Sequence, residues 1–565
     1  MVPCPVSVRN TRRATALWLL SAIAILLCLG SRTRADITIR FDDVKDGDKI
    51  SDVAPIVVRA DSGDGIDKVE FAVDDQLRFS TGSTPYTFKW DTIADMEGPH
   101  NLAVTAIDAN GVKKTVKLTL TIDNELALGA PALARKAREA LIAKDTAAAA
   151  KYSRRALKAE PDNIDAARAF AAIQADKLNW DSAISSLEKA KNLDSSSDAL
   201  IELASYRMHR SVLPENTANL VADIEMAGEL RRKAAQLALD SVKARNLPAD
   251  QPQSHETLGD AYFNSGRYSE AIQEYSKSAS SGTVTSVNRL GLAYVMNDQA
   301  QEATVLLRSL IKDKSGDAAT HAVMGLALLR LRRFTEAKDA VRPVLGNGNP
   351  ACLVVAAYAD SVLAKLDTAA QEARDAVEAA PNAGETHYAL SMSLIKPIES
   401  EPEVIRAMAL SPFESGPLID FAIRYAVLPA HSNRFEMALK LLDVVLKREP
   451  ENRSASLAKV LLLFHLGRVA EAEAPLAELV RRDPESADIQ VAAGIYFDLK
   501  KNPTASEERL KKARTIDKDF FDLGTVPDPL AFVYLAVRKL HYRGGFYLTP
   551  QTLYPSKAAA AAAAQ

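Results

Sequence analysis

The stretch HETLGDAYFNSGRYSEAIQEY, residues 255–275, decides the fold of most of this chain. A histidine, a glutamate and an aspartate stand within its first six residues, at His255, Glu256 and Asp260, and two glycines and three tyrosines accompany them. These residue types suit either a small catalytic cluster or a packing unit whose polar residues have no chemical role. A test for internal repeats separates the two interpretations.

Small residues recur along the chain with a period of 32 to 34 residues. One series stands in the second half of each candidate unit, and the other stands in the first half of the same units with identical steps. The first series is Ala271, Ala303, Ala337 and Ala369, and the second is Gly259, Gly291, Gly325 and Ala357. Prolines close several units, and Pro450 and Pro484 are again 34 residues apart. This period predicts an array of helical repeats.

The period resembles that of the tetratricopeptide repeat (TPR), and the opening stretch is its best copy. Leu258, Gly259 and Tyr262 take the family's positions on the first helix, and Ala271 and Tyr275 take those on the second. Because the two helices of one hairpin cross closely, a glycine or an alanine is needed at their contact, while leucine and tyrosine fill the gap to the next hairpin. We therefore interpret the stretch as a packing unit.

Residues 36–123 have a different pattern. Segments such as KVEFAV and HNLAVTAID alternate apolar and polar residues and are rich in Val, Ile, Thr and Phe. Turn clusters such as DSGDG and DANG separate them. Short strands with turn signals at this spacing predict a β-sandwich.

The same segment resembles bacterial immunoglobulin-like (Ig-like) modules in the motifs IDKVEFAVDDQL, TPYTFKWDT and GPHNLAVTAIDANG. The resemblance implies an Ig-like sandwich of the kind that serves as a spacer or adhesive unit on exported proteins. It also implies candidates for the core. These are Phe71, Tyr86, Phe88, Trp90 and Leu102.

Two acidic turns of this segment carry carboxylates of the kind that bind Ca²⁺, a cation that prefers several oxygen ligands. The turns contain Asp42, Asp43, Asp46 and Asp48, and Asp61, Asp64 and Asp67. Neither turn has the glycine and the final glutamate of an EF-hand loop, and Asp and Gly are also the ordinary residues of turns. We predict plain turns, with Ca²⁺ binding as the alternative.

The first 35 residues predict export. Arg9, Arg12 and Arg13 form a basic region, the apolar run ATALWLLSAIAILLCLG follows, and Ala35 supplies a small residue for cleavage before Asp36. The alternative is an uncleaved inner-membrane anchor, because the run is close to the minimum that spans a bilayer. We expect a cleaved signal peptide and a mature chain in the periplasm, the outer envelope or the extracellular space.

The sequence contains no assembled catalytic, cofactor or metal motif. It has no H-E-x-x-H, no Cys/His pair at zinc spacing, no G-x-S-x-G elbow and no phosphate-binding glycine loop. Cys352, the one cysteine outside the signal segment, lies in the apolar run ACLVVAAYA, which predicts a buried structural thiol. We predict no enzyme and no cofactor. The formal net charge of −3 disfavours a nucleic-acid partner, which requires a basic face.

TPR arrays bind partners on the concave wall that their first helices line, so the resemblance implies a set of groove positions. They are Glu256, Asp260, Phe263, Asn264, Asn288, Leu292, Val295, Met296, Ala322, Leu326, Leu329, Arg330, Val354, Tyr358 and Ser361. This wall is largely apolar in its middle units and lacks the Lys/Asn/Arg set with which chaperone-type members clamp a peptide carboxylate. It predicts a groove for an apolar or helical segment. The alternative is that Leu326 and Leu329 only pack within a tight superhelix.

Together these patterns predict a multidomain chain, with an all-β Ig-like sandwich followed by an all-α TPR solenoid of helical hairpins. The repeat lapses in two zones, 196–251 and 386–418, where prolines or a longer helix pair interrupt it. The predicted boundaries are 1–35 for the signal peptide, 36–123 for the sandwich, 126–250 and 251–525 for the two parts of the array, 526–545 for a capping helix, and 546–565 for a low-complexity Ala-rich tail.

The predicted function is a non-enzymatic scaffold that binds a protein or peptide partner across a curved surface. One alternative is a surface or glycan-binding protein in which the sandwich binds and the array is a spacer, which exposed aromatic residues on the sandwich would favour. Another is an envelope or polysaccharide assembly factor whose array docks onto a membrane machine. The partner's identity and the oligomeric state have no signal in the sequence.

Overall fold

The structure is a computed structural model, and it describes residues 36–394, 396–411, 414–427, 434–516 and 546–555. Its contacts divide the chain into unit 1, residues 1–173, and unit 2, residues 174–565. The predicted signal segment and the predicted capping helix lie outside the described residues. Within the described ranges, no helix combines the length and the apolar character needed to cross a membrane.

Unit 1 begins with two β-sheets. Their strands are β1 (Thr38–Phe41), β2 (Lys49–Ile50), β3 (Val53–Asp61), β4 (Ile66–Val73), β5 (Gln76–Thr81), β6 (Tyr86–Asp91), β7 (Gly98–Asp108) and β8 (Lys113–Ile122). One sheet has the order β1-β3-β6 and the other the order β2-β8-β7-β4-β5. Neighbouring strands are antiparallel except for the short parallel pair of β2 and β8.

The core of the sandwich follows from the alternation of apolar residues along its strands, since successive side chains point to opposite faces. All five predicted core residues are buried. The Phe71 ring on β4 contacts the Phe88 ring on β6 with their centroids 5.5 Å apart, and Phe88 stacks on Trp90 at 6.3 Å. The predicted β-sandwich is confirmed.

The acidic turns of the sandwich bind groups of its own strands. Asp42 accepts a hydrogen bond from Arg59 Nε at 2.8 Å, and Asp46 accepts one from the backbone N–H of Thr119 at 2.6 Å. In the part of the chain that the structure describes, no group of three or more His, Cys, Asp or Glu side chains is arranged to hold a metal ion.

Unit 1 continues into helices. They are α1 (Ala130–Ile142), α2 (Thr146–Ala159) and α3 (Ile164–Asp176), and the boundary between the two units lies within α3. Arg155 on α2 is 2% exposed and donates to both carboxylate oxygens of Asp52, at 2.8 and 2.7 Å. Burial alone would raise the pKa of Asp52, but Arg155, assisted by Lys151, holds it below its usual value. A buried ion pair therefore joins the first hairpin to the sandwich.

Unit 2 is a succession of helical hairpins. Its helices are α4 (Trp180–Glu188), α5 (Ser197–Ser211), α6 (Leu220–Ala244), α7 (Pro252–Asn264), α8 (Tyr268–Ala279), α9 (Val284–Met296), α10 (Ala300–Lys312), α11 (Ala318–Arg330), α12 (Phe334–Val341), α13 (Pro350–Val362), α14 (Leu366–Ala379), α15 (Gly384–Ser393), α16 (Pro397–Leu410), α17 (Ser415–Val427), α18 (Arg434–Arg448), α19 (Arg453–His465), α20 (Val469–Arg482), α21 (Ala487–Leu499), α22 (Pro503–Ile516) and α23 (Pro550–Leu553). From α5 to α22, each odd-numbered helix packs against the next. The predicted all-α array after the sandwich is confirmed.

The hairpin of the opening stretch, α7 with α8, shows why the repeat needs a glycine. A Cβ atom on Gly259 would lie 2.5 Å from Cε1 of Tyr275, closer than carbon atoms approach, so only glycine fits this crossing. His255 bridges within the same hairpin, with Nδ1 2.7 Å from a Glu274 carboxylate oxygen and Nε2 2.9 Å from the carbonyl oxygen of Ala249. The stretch is a packing unit.

The two zones in which the repeat lapses in sequence are helical. In the first, the pair α5 and α6 is longer than its neighbours. In the second, α15, α16 and α17 continue the array, although the prolines had suggested a break. Pro397 stands in the first turn of α16, where a missing backbone N–H costs no intrahelical hydrogen bond.

Unit 2 curves so that an early part of it contacts a later part. Arg231 of α6 is buried and donates from Nη1 to the carbonyl oxygen of Met408 on α16 at 2.7 Å. Tyr268, at the start of α8, donates its hydroxyl to Glu414, just before α17, at 2.7 Å. These contacts close one turn of hairpins, from α6 to α17, on itself.

Candidate functional site

The first helices of successive hairpins, α7, α9, α11, α13 and α15, line the inside of this turn, and we call them the inner wall. They contact residues 546–555, which we call the resident segment. Its first residues have no regular secondary structure, and α23 follows. Phe546, Tyr547 and Leu548 are fully buried and Leu553 is 1% exposed.

This position differs from the predicted tail, which began at residue 546. The run of alanines from 558 suggested a low-complexity tail, but residues 546–555 contain three aromatic side chains. Thr549 caps α23 by accepting from the Thr552 N–H at 3.3 Å, and Pro550 occupies the first helical position, which requires no N–H donor. The local sequence therefore encodes one helical turn after the first four residues.

Backbone groups of the resident segment are bound by side chains of the inner wall. Arg330 Nε on α11 donates to the carbonyl oxygen of Phe546 at 2.8 Å. The backbone N–H of Thr549 donates to Glu385 Oε1 on α15 at 3.0 Å. The inner wall thus binds the backbone of the resident segment as well as its side chains.

Glu385 is the polar centre of this contact. The side chain is 1% exposed, and its Oε1 accepts from the Thr549 N–H, from the Thr549 hydroxyl at 2.7 Å and from the Thr552 hydroxyl. A buried carboxylate needs such donors, because an unpaired charge in a protein interior is strongly destabilising.

Aromatic rings supply the apolar part of the contact. The Phe546 ring lies on Tyr358 of α13 with centroids 4.7 Å apart, and Tyr547 stacks on Tyr388 of α15 at 6.0 Å. The Tyr547 hydroxyl donates to Ser411 Oγ at 2.7 Å. Ring contacts at these distances contribute beyond the area that they bury.

The far end of the resident segment is fixed by Tyr554. Its hydroxyl accepts from Asn288 Nδ2 on α9 at 2.8 Å and donates to Asp317 Oδ2 at 3.3 Å. Burial raises the pKa of Tyr554 to about 12, so the hydroxyl keeps its proton at neutral pH.

The predicted groove residues divide into two groups. Four of them contact the resident segment, namely Asn264, Asn288, Arg330 and Tyr358. Most of the apolar ones are fully buried between helices, namely Leu292, Val295, Ala322, Leu326, Leu329 and Val354. Phe263 and Met296 are nearly so, at 5% and 8% exposure. The burial of Leu326 and Leu329 agrees with the alternative interpretation, in which they pack within the superhelix.

Glu256 and Asp260 are bound within their own pair of hairpins. Arg289 on α9 contacts both carboxylates, and the Tyr275 hydroxyl donates to Asp260 at 2.6 Å. Burial raises the pKa of Asp260, while Arg289 and Tyr275 oppose the rise. These two acids hold neighbouring hairpins together.

The lone cysteine is buried, as the sequence predicts. Burial raises the pKa of the Cys352 thiol to about 12, with a further contribution from the Asp317 carboxylate. Its Sγ lies 3.1 Å from the carbonyl oxygen of Ala318 on the preceding hairpin. A thiol with this pKa is not a nucleophile at neutral pH.

A cavity of about 590 Å³ lies beside the resident segment. One side is formed by Tyr547, Thr552 and Tyr554 of the segment, and the other by α7 and the residues between α14 and α17. The exposed Leu410, at the end of α16, stands at its rim. Sequence reasoning missed Glu385 and the resident segment, whose only signal is the density of aromatic residues in FYLTPQTLYP.

Family models match both parts of the chain. Residues 38–106 match the model of a bacterial Ig domain, and residues 252–281 and 431–513 match models of the tetratricopeptide repeat. The chain therefore combines a bacterial Ig domain with TPRs, and the resemblances stated from the sequence are confirmed. No curated protein sequence matches the chain.

Solved structures resemble the two parts separately. The fibronectin(III)-like modules of CbhA from Clostridium thermocellum are 22% identical over 16% of this chain and 47% of that one, with a TM-score of 0.14, so this chain spans about half of that structure. The Cut9–Hcn1 hetero-tetramer of APC/C is 12% identical over 72% of this chain and 95% of that one, with a TM-score of 0.38. Yeast Tom70 is 14% identical over 73% and 96%, with a TM-score of 0.29. None of these likenesses extends beyond the fold.

Proposed function

We propose that this chain is an exported, non-enzymatic scaffold that binds a protein partner on the inner wall of unit 2. The observation that carries the proposal is the resident segment. The inner wall binds this non-repeat segment through Arg330 and Glu385, which contact its backbone, and through ring contacts. A surface with this chemistry suits a protein ligand, and TPR domains are typically scaffolds.

The accessible part of the site lies beside the resident segment. Leu410 is 40% exposed at the rim of the cavity, and Asn264 of α7 and Gln551 of the segment are exposed nearby. Leu410 is the exposed apolar side chain of this rim, so it is the residue through which the proposed site can be tested. Binding there is an equilibrium association without covalent chemistry.

Export is part of the proposal and rests on the sequence. The basic residues before the apolar run and the small residue Ala35 support a cleaved signal peptide. The N-terminal sequence of the mature protein, recovered from its native cells, tests this. We expect it to begin at Asp36, and a chain that retains Arg9 would support the anchor instead.

Two matched variants test the binding site. Leu410 ends α16 and Leu499 ends α21, and they are 40% and 41% exposed. The full chain serves as bait in a solubilised envelope extract, and the retained protein is purified and titrated against each bait. We expect Leu410→Glu to weaken binding by at least about tenfold, or about 1.4 kcal/mol, and Leu499→Glu to leave it unchanged. Equal effects of the two variants would place the site elsewhere.

One observation favours a second candidate, binding through the Ig domain. Strand β5 is at the edge of its sheet, and it exposes Leu77 by 62% and Phe79 by 40%. An exposed apolar edge is a place where a chain or a sugar ring can dock. Cell-wall material is offered to two variants of the full chain. Loss of binding by Phe79→Ser, with binding kept by Leu410→Glu, would support this second candidate.

A further inference from the structure

The cavity beside the resident segment has an unusual chemical lining. Four of its lining residues are aromatic, namely Phe263, Tyr268, Tyr547 and Tyr554. Phe263 and Tyr268 meet edge to face with centroids 5.1 Å apart. Among the described residues that line it, the only charged side chains are Glu385 and Glu414. The cavity is therefore aromatic and acidic, with no cation of its own in the lining.

We infer that this cavity receives a basic side chain, lysine or arginine, of the protein partner. Aromatic faces carry partial negative charge and attract cations, and a carboxylate within the same cavity adds a full charge. The long apolar stem of lysine or arginine suits the walls that Pro381, Leu410 and Pro555 provide. The inference rests on the proposed function, because it names the chemical group of the partner that the site takes.

Glu414 is the carboxylate best placed to respond to a cation. Burial raises the pKa of Glu414 to about 7, while the Tyr268 hydrogen bond and the charge of Arg330 oppose the rise. The charge of Arg330 therefore offsets only part of the cost of burying this carboxylate. A cation in the cavity would offset more of it, which makes Glu414 the main source of selectivity for basic over neutral groups.

The other carboxylate has a different role. Oε1 of Glu385 accepts three hydrogen bonds from the resident segment, which this carboxylate holds in place. Because Tyr547 and Tyr554 belong to that segment, the cavity exists only when the segment is bound to the inner wall. The resident segment is thus a permanent wall of the site, and the partner binds beside it.

Small probes test this inference on the full chain. Saturation-transfer NMR at pH 8, where Glu414 is ionised, measures the binding of n-butylammonium and n-butylguanidinium against the neutral n-butanol and the anion butyrate. We expect both cations to bind at least about tenfold more tightly than n-butanol, and butyrate not to bind.

Glu414→Gln tests the carboxylate while keeping an acceptor oxygen for the Tyr268 hydroxyl. We expect this variant to lose about tenfold in affinity for the cations. Glu507→Gln, the same change at an exposed position of α22, should bind like the wild type. Tyr554→Leu, which removes a ring and no charge, provides a second test, and its thermal unfolding shows whether unit 2 remains folded.

The outcomes separate this inference from the proposed function. Equal binding of n-butanol and the cations, or unchanged binding to Glu414→Gln, overturns the inference even when Leu410→Glu abolishes partner binding. Cations that bind as expected to a chain that retains no partner would support the cavity and refute the scaffold.

Discussion

The Ig sandwich and the inner wall of unit 2 both bury clusters of aromatic rings, but they obtain them differently. In the sandwich, Phe71, Phe88 and Trp90 come from strands of one short segment. In unit 2, the rings that cover Tyr358 and Tyr388 belong to the resident segment. The Arg330 side chain and the Phe546 carbonyl that it binds are 216 positions apart.

This difference shows that the repeats form the wall of the closed turn, whereas the side chains that fill its interior come from the resident segment. Each hairpin buries its own glycine or alanine crossing, as at Gly259, through contacts that every repeat can make. The interior of the closed turn needs one additional element that is not a repeat. The stability of unit 2 is therefore less local than that of the sandwich.

Deletion of residues 546–565 should have the largest effect on stability, and it should affect unit 2 but not the sandwich. Four buried apolar side chains, Phe546, Tyr547, Leu548 and Leu553, would be lost, and each is worth about 1.5–3 kcal/mol. We expect the unfolding transition of unit 2 to lose on the order of 6–12 kcal/mol, as an upper estimate, and that of the sandwich to stay in place. Differential scanning calorimetry measures both.

Deletion of residues 556–565 alone is the control, since it keeps every described contact of the resident segment. It should leave both transitions unchanged. If the longer deletion also changed nothing, the resident segment would not be part of the core of unit 2.

Arg155→Ala should weaken unit 1 next most strongly. Its side chain is 2% exposed and binds Asp52 in a bidentate pair, so its removal leaves a half-buried carboxylate without its main partner. Breaking a buried pair costs about 3–5 kcal/mol. Arg154, which pairs with Asp91 and is 38% exposed, provides the control, and Arg154→Ala should cost less than about 1 kcal/mol. Chemical denaturation followed by the fluorescence of Trp90 measures both losses.

The stability of unit 2 should depend on pH through the titration of Glu414. Tyr268, Arg330, Glu449 and Glu385 surround it, and its folded-state pKa of about 7 exceeds the ordinary value of 4.5 because of burial. Between these two values the folded protein binds more protons than the unfolded chain, so stability falls as the pH rises through the window. The total loss is on the order of 3 kcal/mol, and it is complete above pH 7.

Glu414→Gln removes this titration. Urea denaturation at pH 5 and at pH 8 should show a smaller difference for the variant than for the wild type, whereas Glu507→Gln should match the wild type. A variant with the same pH dependence as the wild type would show that another group titrates.

Gly259→Ala should have the smallest of these effects. The new methyl group would overlap the Tyr275 ring, which lies 2.5 Å from the Cβ position, and overpacking of this kind costs about 1–3 kcal/mol. At Gly346 no atom lies within 4 Å of the corresponding position, so Gly346→Ala should be neutral. The calorimetric transition of unit 2 distinguishes the two, and equal shifts would contradict the packing account of the repeat.

Much of the fold was predictable because its signals are periodic. Alternation along the strands predicted the sandwich, the resemblance to Ig-like modules implied Phe71 and Trp90 as core, and the recurrence of Gly259 and Gly325 identified the hairpin crossings. Periodicity assigns residues to faces within one element or repeat. It also correctly placed Leu326 on a first helix, although it left open whether that residue faces a partner or the core.

The candidate site was only partly predictable, because its decisive contact is long-range and occurs once. The resemblance to TPR arrays implied Asn288 and Arg330 as groove residues, and both bind the resident segment. Nothing periodic connects them with Phe546. Glu385 was missed for the same reason, since its donors lie on a segment that resembles no repeat.

The position of the resident segment in the chain also fixes the order in which unit 2 can assemble. The ribosome makes α7 to α16 before it makes Phe546, so the interior of the closed turn stays incomplete until the resident segment has been made. A chain that stops short of Phe546 leaves the ring of Tyr358 and the carboxylate of Glu385 without the groups that cover them. The core of unit 2 is therefore complete only when residues 546–555 have joined the hairpins made before them.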